Sequence, residues 1–316
     1  MYTKNQWPAL SFEEGRATYA TLHRWAQILG KIKLATMPWI NHSWGVTLFV
    51  TPTGLSTQSI PYGERSFQID LDFSAHHLRI TSSDGRLRVA PVNELSVAGF
   101  YRTVFTLLGE LDIRVKIDPR PAEMPHATPL DEDHAHNDYA AGRVQAMHQA
   151  LLAIQNTFMQ FRACFNGKVS PVQLFWGGFD LALTLFSGRK APAHPGKFPG
   201  LPDSVLQDAY SHEICETGFS LGSKSAPEAS FYCSVYPHAS GEYDLSELDP
   251  GQAVFDAESG AFSLSYAAVA DSDNPEETLL NFLSMAYKLT ARAAGWPEDL
   301  WRPKRWEKGV VYPLEV

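Results

Sequence analysis

The sequence predicts an α+β fold made of two similar halves, each a helix, several antiparallel strands and a second helix. Three observations carry this. Apolar residues recur at helical spacing in four long segments and at strand-like spacing between them. The strand segments follow one another without intervening helices, unlike the strict βα alternation of a doubly wound fold. Finally, the second half reads like the first. Ser43-Trp44-Gly45-Val46-Thr47-Leu48-Phe49 resembles Ser170-Pro171-Val172-Gln173-Leu174-Phe175, and each runs on to a closing glycine, Gly63 or Gly188. Tyr62 to Asp70 finds a partner in Gln207 to Cys215, and Asp84 to Val89 mirrors Ser259 to Leu264. Two such halves most simply pair their sheets about a pseudo-twofold axis, with helices on one face and a shared cavity on the other.

Each element has its own signal. Phe12 to Ala35 reads as a helix, because Tyr19, Leu22, Ala26, Leu29 and Leu34 keep helical spacing and Ser11 suits an N-cap before Glu13 and Glu14. Pro38 closes it. Val46 to Val50 reads as a short strand, and Pro52-Thr53-Gly54 as a turn. Phe67 to Phe73 alternates strictly between apolar and polar, so it is a strand with one apolar face. Leu78 to Thr81 and Arg86 to Val89 flank Asp84-Gly85 as a hairpin. A helix spans Ser96 to Leu111, and Val115 to Ile117 reads as a further strand.

Prolines 119, 121, 125 and 129 and the polar run to Asp138 mark a linker. Beyond it Tyr139 to Phe165 is a long helix. Strands follow at Val172 to Trp176, Leu181 to Phe186, His212 to Phe219 and Phe231 to Tyr236, with a proline-rich loop over 191–203. Ala253 to Asp256 and Phe262 to Tyr266 form a last hairpin, and Pro275 to Ala294 a last helix. The organisation is therefore an N-terminal repeat over 1–118, a linker over 119–138, a C-terminal repeat with the candidate pocket over 139–296, and a tail over 297–316 packed on the body.

Composition narrows the function classes. The formal charge of −9 and the lack of a long basic run, Lys304-Arg305 being too short, argue against a nucleic-acid partner. No stretch reaches the roughly 18 apolar residues of a membrane span, and Met1 to Pro8 lacks the apolar core of a signal peptide. Three cysteines at 164, 215 and 233 match no zinc motif and suit a reducing compartment. The expectation is a cytoplasmic protein with a small-molecule ligand and no membrane or nucleic-acid partner. No glycine-rich phosphate loop opens a helix after a strand and no Gly-x-Ser-x-Gly elbow is present, so dinucleotide, P-loop and serine-elbow readings lack their context and the cofactor is unknown.

Differences between the halves nominate the site. Against Phe67, Ile69, Leu71 and Phe73 stand His212, Ile214, Glu216 and Gly218. A polar group where the sister strand is apolar costs about 1–3 kcal/mol when buried unpaired. His212 is therefore a candidate acid, base or ligand residue, or else a histidine with a local partner, or a sign of a one-residue slip in the pairing of the halves. Glu213 would support it if a bulge re-aims the strand. Asp180, in an apolar run, is either paired with Arg189 or Lys168 or catalytic with a shifted pKa. Trp176 is a candidate apolar wall, Tyr210 a ligand contact and Arg189 an anion clamp. His134 and His136, in the acidic run 131–138, form the one metal-like pair and need a third ligand from elsewhere; Asn137 or Asp138 also suits the N-cap of the next helix. His23 and His148 read as packing residues and His76-His77 as a solvated tip. Cys215 and Cys233 read as small apolar fillers.

The blocks Phe175-Trp176-Gly177-Gly178-Phe179-Asp180-Leu181-Ala182, Phe186-Ser187-Gly188-Arg189 and Tyr210-Ser211-His212-Glu213, with Trp7-Pro8-Ala9-Leu10 and Pro61-Tyr62-Gly63, resemble a bacterial family of uncharacterised proteins with a domain of unknown function. The resemblance covers nearly the whole chain and implies a bacterial cytoplasmic protein without naming a chemistry. In that family His stands at the position of Gln173, Arg at Leu185 and Trp-Pro at Ser220-Leu221, so roles resting on those side chains would be lost here. Taken together, the sequence points to a small-molecule-binding protein, an enzyme if His212 is an acid–base group. The alternatives are a non-catalytic interaction or scaffold module and a metalloprotein using His134 and His136.

Overall fold

Two antiparallel sheets of six strands each carry the molecule, joined edge to edge and covered by helices. The computed structural model describes residues 7–302 except 125, 199, 224–225 and 239–242. Met1 to Gln6, where a signal peptide was sought, lies outside the described residues, as do the basic pair Lys304-Arg305 and the rest of the tail from 303.

Helix α1, Phe12–Thr36, begins at its expected cap, where Ser11 Oγ accepts from the Glu14 amide at 3.3 Å. Strands β1 (Phe49–Thr51), β2 (Gly54–Ser56), β3 (Ile60–Tyr62), β4 (Arg65–Asp72), β5 (His77–Ser82) and β6 (Leu87–Pro91) form the first sheet in the order β1-β2-β4-β5-β6, with β3 also paired to β4. The alternation of β4 places Phe67, Ile69 and Leu71 in the core. Helix α2, Val97–Glu110, is capped by Ser96, whose Oγ accepts from the Gly99 amide at 3.1 Å. Val115 to Ile117, expected as a strand, is not one, because it joins no ladder among the described residues and instead leads into the linker.

Helix α3 runs from Ala141 to Ala163. Its start differs from expectation. Neither Asn137 nor Asp138 caps it; Thr18 of α1 does, its Oγ1 accepting from the Ala140 amide at 3.1 Å while its hydroxyl donates to Asp138. The cap is tertiary, which local sequence does not reveal. Strands β7 (Gln173–Phe175), β8 (Asp180–Lys190), β9 (His212–Ser220), β10 (Ser230–Tyr236), β11 (Val254–Asp256) and β12 (Ala261–Ser265) give the second sheet, ordered β11-β12-β10-β9-β8-β7. Helix α4, Asp203–Ala209, follows the proline-rich loop, and α5 (Tyr266–Ala270) and α6 (Pro275–Ala293) close the chain.

The sheets meet at Leu48 and Leu174, which exchange both backbone hydrogen bonds at 2.8 and 3.0 Å. Outward from that seam both sheets run antiparallel, one strand after another. Helix α3 packs on both β1 and β8 and so bridges the seam, while α6 covers β9 and β10. Trp25 of α1 stacks on Phe100 of α2 with ring centroids 4.5 Å apart, tying the first helices together. His148 is a packing residue, its Nε2 on the Thr51 carbonyl at 2.8 Å. Among the described residues no helix is long and apolar enough to cross a membrane.

Register decides which residues of β9 face the site. The face turned to α6 carries Cys215, whose Sγ lies 4.0 Å from Thr290 Oγ1 of that helix, followed by Thr217 and Phe219. His212, Ile214 and Glu216 lie on the opposite face of the strand. β9 is buried on both faces, so its sequence does not tell one face from the other: Ile214 and Gly218 are buried on one side, Cys215 and Phe219 on the other.

Candidate functional site

The turn between β7 and β8 is shaped by what its glycines leave open. A Cβ on Gly177 would stand 1.8 Å from Glu123 Oε1, and one on Gly178 would stand 2.8 Å from Asp180 Oδ1. Two carboxyl groups thus lean on the Gly177-Gly178 backbone. His23 of α1 fixes that turn from beneath, with Nε2 3.1 Å from the Trp176 carbonyl and 2.7 Å from that of Gly177. Both partners accept, so Nε2 carries the proton. Burial pushes the imidazole down to about 4, and the ring stays neutral near neutral pH. It stacks on Phe179, a left-handed residue (φ 60°), at 5.2 Å.

Other residues bring the linker to this turn. The Gln27 amide of α1 clasps the backbone of Ala122, donating to its carbonyl at 2.9 Å and accepting from its amide at 2.7 Å. Gly200 (φ 83°) lets the following loop approach, since a Cβ there would lie 2.8 Å from the Glu123 amide nitrogen. Glu123 itself makes no hydrogen bond among the described residues. One turn along α1, Gly30 makes room for Trp176, whose Nε1 would be 2.2 Å from a Cβ at that position and instead donates to the Val46 carbonyl at 2.9 Å.

Across the site stands His42, in a left-handed pair with Ser43 (φ 64° and 57°) after the end of α1. Asn41 holds it there: Asn41 Oδ1 accepts from the His42 amide, and Asn41 Nδ2 donates to Asp208 of α4, both at 2.7 Å. His42 Nε2 lies 3.2 Å from Glu216 Oε1, and the Tyr210 hydroxyl donates to Glu216 Oε2 at 2.8 Å. Facing a carboxylate, Nε2 carries the proton; Nδ1 is buried without a hydrogen-bond partner among the described residues, in a side chain only 8% exposed. Two cavities adjoin this cluster. The larger, about 660 Å³, is lined by His42, Lys31, Glu123, Phe175, Trp176 and Tyr210 among others. The smaller, about 120 Å³, is lined by Glu216, His194, Tyr236 and again Tyr210.

Beside Glu216, Asp180 accepts from the Tyr232 hydroxyl at 2.5 Å. Gly218 makes this possible, because it lies opposite Tyr232 in the ladder and a Cβ there would be 2.3 Å from the phenol oxygen. Electrostatics grade the three carboxyl groups. Burial would raise Glu216, but the hydrogen bonds and charge of His42, with Tyr210 and His194, outweigh it and hold the group below its usual value. Burial and the Glu216 charge push Asp180 up to about 6 against the opposing Tyr232 hydrogen bond. Burial, then the Asp180 charge, pushes Glu123 up to about 7. The Tyr210 hydroxyl is raised, first by the Glu216 charge and then by burial. Such a set can bind an apolar molecule and give or take a proton near neutrality.

The structure gathers some of the sequence candidates and disperses others. Trp176 and Tyr210 line the larger cavity, and Asp180 adjoins it through Glu123. Asp180 pairs with neither Arg189 nor Lys168 but with Tyr232. His212 is exposed, its Nδ1 3.2 Å from Ser211 Oγ, and lines neither cavity. Glu213 holds Arg189, Nη2 to Oε2 at 2.7 Å, and Ser187 at 2.8 Å, while Arg189 also donates to the carbonyls of Ala294 and Gly295 behind α6. That cluster fastens β8 and β9 to the last helix. His136 Nδ1 lies 2.7 Å from the buried Asp133, which also pairs with Arg24. Among the described residues no three His, Cys, Asp or Glu side chains group closely enough to hold a metal ion, His134 and His136 included.

His42 and Glu123 carried no signal in the sequence analysis. His42 lies in a three-residue turn, and Glu123 in a linker read as a spacer. Glu216 did carry one, as the polar member opposite Leu71, though His212 in the same comparison drew the emphasis.

The family of unknown function DUF5996 matches residues 7–302. The chain belongs to that family. The match spans all the described residues, so α1, the linker and both sheets fall within the DUF5996 region together. No curated protein and no solved structure matches the chain.

Proposed function

We propose that this DUF5996 protein binds a small molecule in the larger cavity and acts on it by acid–base chemistry, with His42 as base and Glu123 as a proton donor in the same cavity wall. One observation carries the reading: a buried imidazole in the cavity wall whose Nε2 is tied to Glu216 and whose Nδ1 is left without a partner. A carboxylate on one ring nitrogen fixes the tautomer and orientation and leaves the other nitrogen basic. An unpaired buried polar atom costs about 1–3 kcal/mol, which a ligand's donor group would recover. Glu123, raised to about 7, is partly protonated at neutral pH and fits the donor role. The cavity, about 660 Å³, lies in the range of small-molecule sites, with mainly apolar walls and a few convergent polar groups. Trp176 and Tyr210 serve as wall and hydroxyl contact, while Asp180 and Tyr232 act from behind.

A thermal-shift screen of metabolites against the wild-type protein, His42→Ala and Glu216→Gln tests this. The expected result is a compound that raises the wild-type melting temperature by several degrees and leaves His42→Ala unmoved. Equal shifts in wild type and His42→Ala for every responding compound would remove His42 from the site.

A further inference from the structure

Lys31 of α1 stands in the wall of the larger cavity, 9% exposed, with no hydrogen bond and no ion pair among the described residues. The other cation of that wall, Arg120, is already committed. Its Nη2 and Nε hold Asp118 Oδ2 at 2.7 and 3.0 Å, and Nε reaches Asp118 Oδ1 at 3.1 Å. Asp118 lies near enough to influence Lys31 yet makes no ion pair with it. A nearly buried ammonium with no direct ion pair is costly to keep, even with the Asp118 charge nearby, and long lysine side chains ordinarily escape to water. Here the side chain borders the cavity, among Leu34, Trp39, Val46, Phe175, Trp176 and Leu206.

We infer that the cavity takes an organic monocarboxylate with a flat or aliphatic apolar body, its carboxylate on Lys31 and its body against Trp176 and Phe175. The inference rests on the larger cavity being the ligand site proposed above. One free ammonium among apolar walls fits a single carboxylate; phosphate recognition draws on several donors, arginine forks or backbone amides. The ionised Glu216 lies at the His42 end, so an anionic head would avoid that end and turn to Lys31.

Calorimetric titration of 2-naphthoate and 2-naphthamide, and of octanoate and octanamide, tests the assignment on wild type, Lys31→Met, Lys31→Arg and Val205→Trp. Val205 is a half-buried wall residue of α4, so Trp there adds bulk to the cavity from the α4 side. The carboxylate of at least one pair is expected to bind wild type at least 10-fold more tightly than its amide. Lys31→Met, which removes a buried charge and should stay folded, is expected to lose that preference. Lys31→Arg is expected to keep it, and Val205→Trp to bind neither compound. Equal affinity of acid and amide in wild type, or a preference unchanged in Lys31→Met, overturns the carboxylate assignment and leaves the cavity as a ligand site. Undiminished binding to Val205→Trp overturns the cavity itself as the site, and no binding of any of the four compounds to wild type overturns the monocarboxylate inference.

Discussion

Replacing Glu123 by Gln removes a carboxyl group that the fold holds in an unfavourable place. In the unfolded chain the group titrates near 4.5, and in the folded protein it is pushed up to about 7, first by burial and then by the charge of Asp180. A raised acid pKa has a definite sign: below about pH 4.5 the group is protonated in both states and contributes nothing. Between about 4.5 and 7 the unfolded chain has ionised while the folded group still holds its proton, so stability falls across that window and levels off once the folded group ionises as well. The rise of about two and a half pH units, at about 1.4 kcal/mol each, sets a ceiling near 3.4 kcal/mol at pH 8. Glu123 borders a cavity open to water, which screens the charge, so about 1–2 kcal/mol is the realistic size. Urea denaturation of wild type and Glu123→Gln at pH 5 and pH 8 measures the difference directly. The variant should gain about 1–2 kcal/mol over wild type at pH 8 relative to its difference at pH 5. If the two proteins differ by the same amount at both pH values, Glu123 ionises normally, and its assignment as a proton donor near neutrality fails with it.

Three further outcomes follow from the same geometry. Gly218→Ala puts a methyl group 2.3 Å from the Tyr232 oxygen, so Tyr232 must swing off Asp180; a loss of about 2–4 kcal/mol is expected in denaturant titrations, and a change below about 0.5 kcal/mol would contradict the packing. Lys33 is buried, donates to the Thr47 carbonyl at 2.6 Å, and is pushed down to about 8 by burial. Wild-type stability should therefore rise with pH between about 8 and 10.5 as the buried amine loses its charge, and that rise should be missing in Lys33→Met. Glu216→Gln removes the charge that raises Asp180, so the Asp180 carboxyl, followed by carbon-13 NMR, should titrate below its wild-type midpoint; an unchanged midpoint would show that the two groups do not sense one another.

How far the sequence revealed this molecule can be traced element by element. Ser11 and Ser96 announced their helices because a cap is a local device, one hydroxyl on an amide three residues on. Strict alternation placed β4, and Asp84-Gly85 placed the hairpin after it. The start of α3 was hidden because its cap, Thr18, lies on another helix. Residues 54–56 and 60–62 form β2 and β3 without a strand signal of their own, being short segments that owe their strand character to pairing with β4. In β9 apolar residues on both faces erased the period that tells one face from the other. The comparison of halves therefore set Glu216, which meets His42 and Tyr210, beside His212, an exposed neighbour at the strand's end.

The site itself was least legible because its parts are far apart in the chain and each is bland alone. His23, Gln27 and Gly30 read as one stripe of an ordinary helix, yet they hold the Gly177 turn, the linker at Ala122 and the Trp176 ring in turn. Glycines carry much of the remaining logic. Gly177, Gly178, Gly200 and Gly218 are empty places into which Glu123, Asp180, the linker backbone and Tyr232 fit. A glycine in a strand or turn signals that something comes close, but not what. Once they are together the carboxyl groups cease to be independent. Glu216, stabilised by His42 and Tyr210, keeps its charge; that charge raises Asp180, and the Asp180 charge in turn raises Glu123. Protons are thus retained most readily at Glu123, the member of the series that lines the larger cavity, and given up first at Glu216, which His42 holds. A cavity with a ready proton donor in its wall and a carboxylate-fixed imidazole beside it follows from this order of ionisation, and the order depends on the side chains that four glycines let approach.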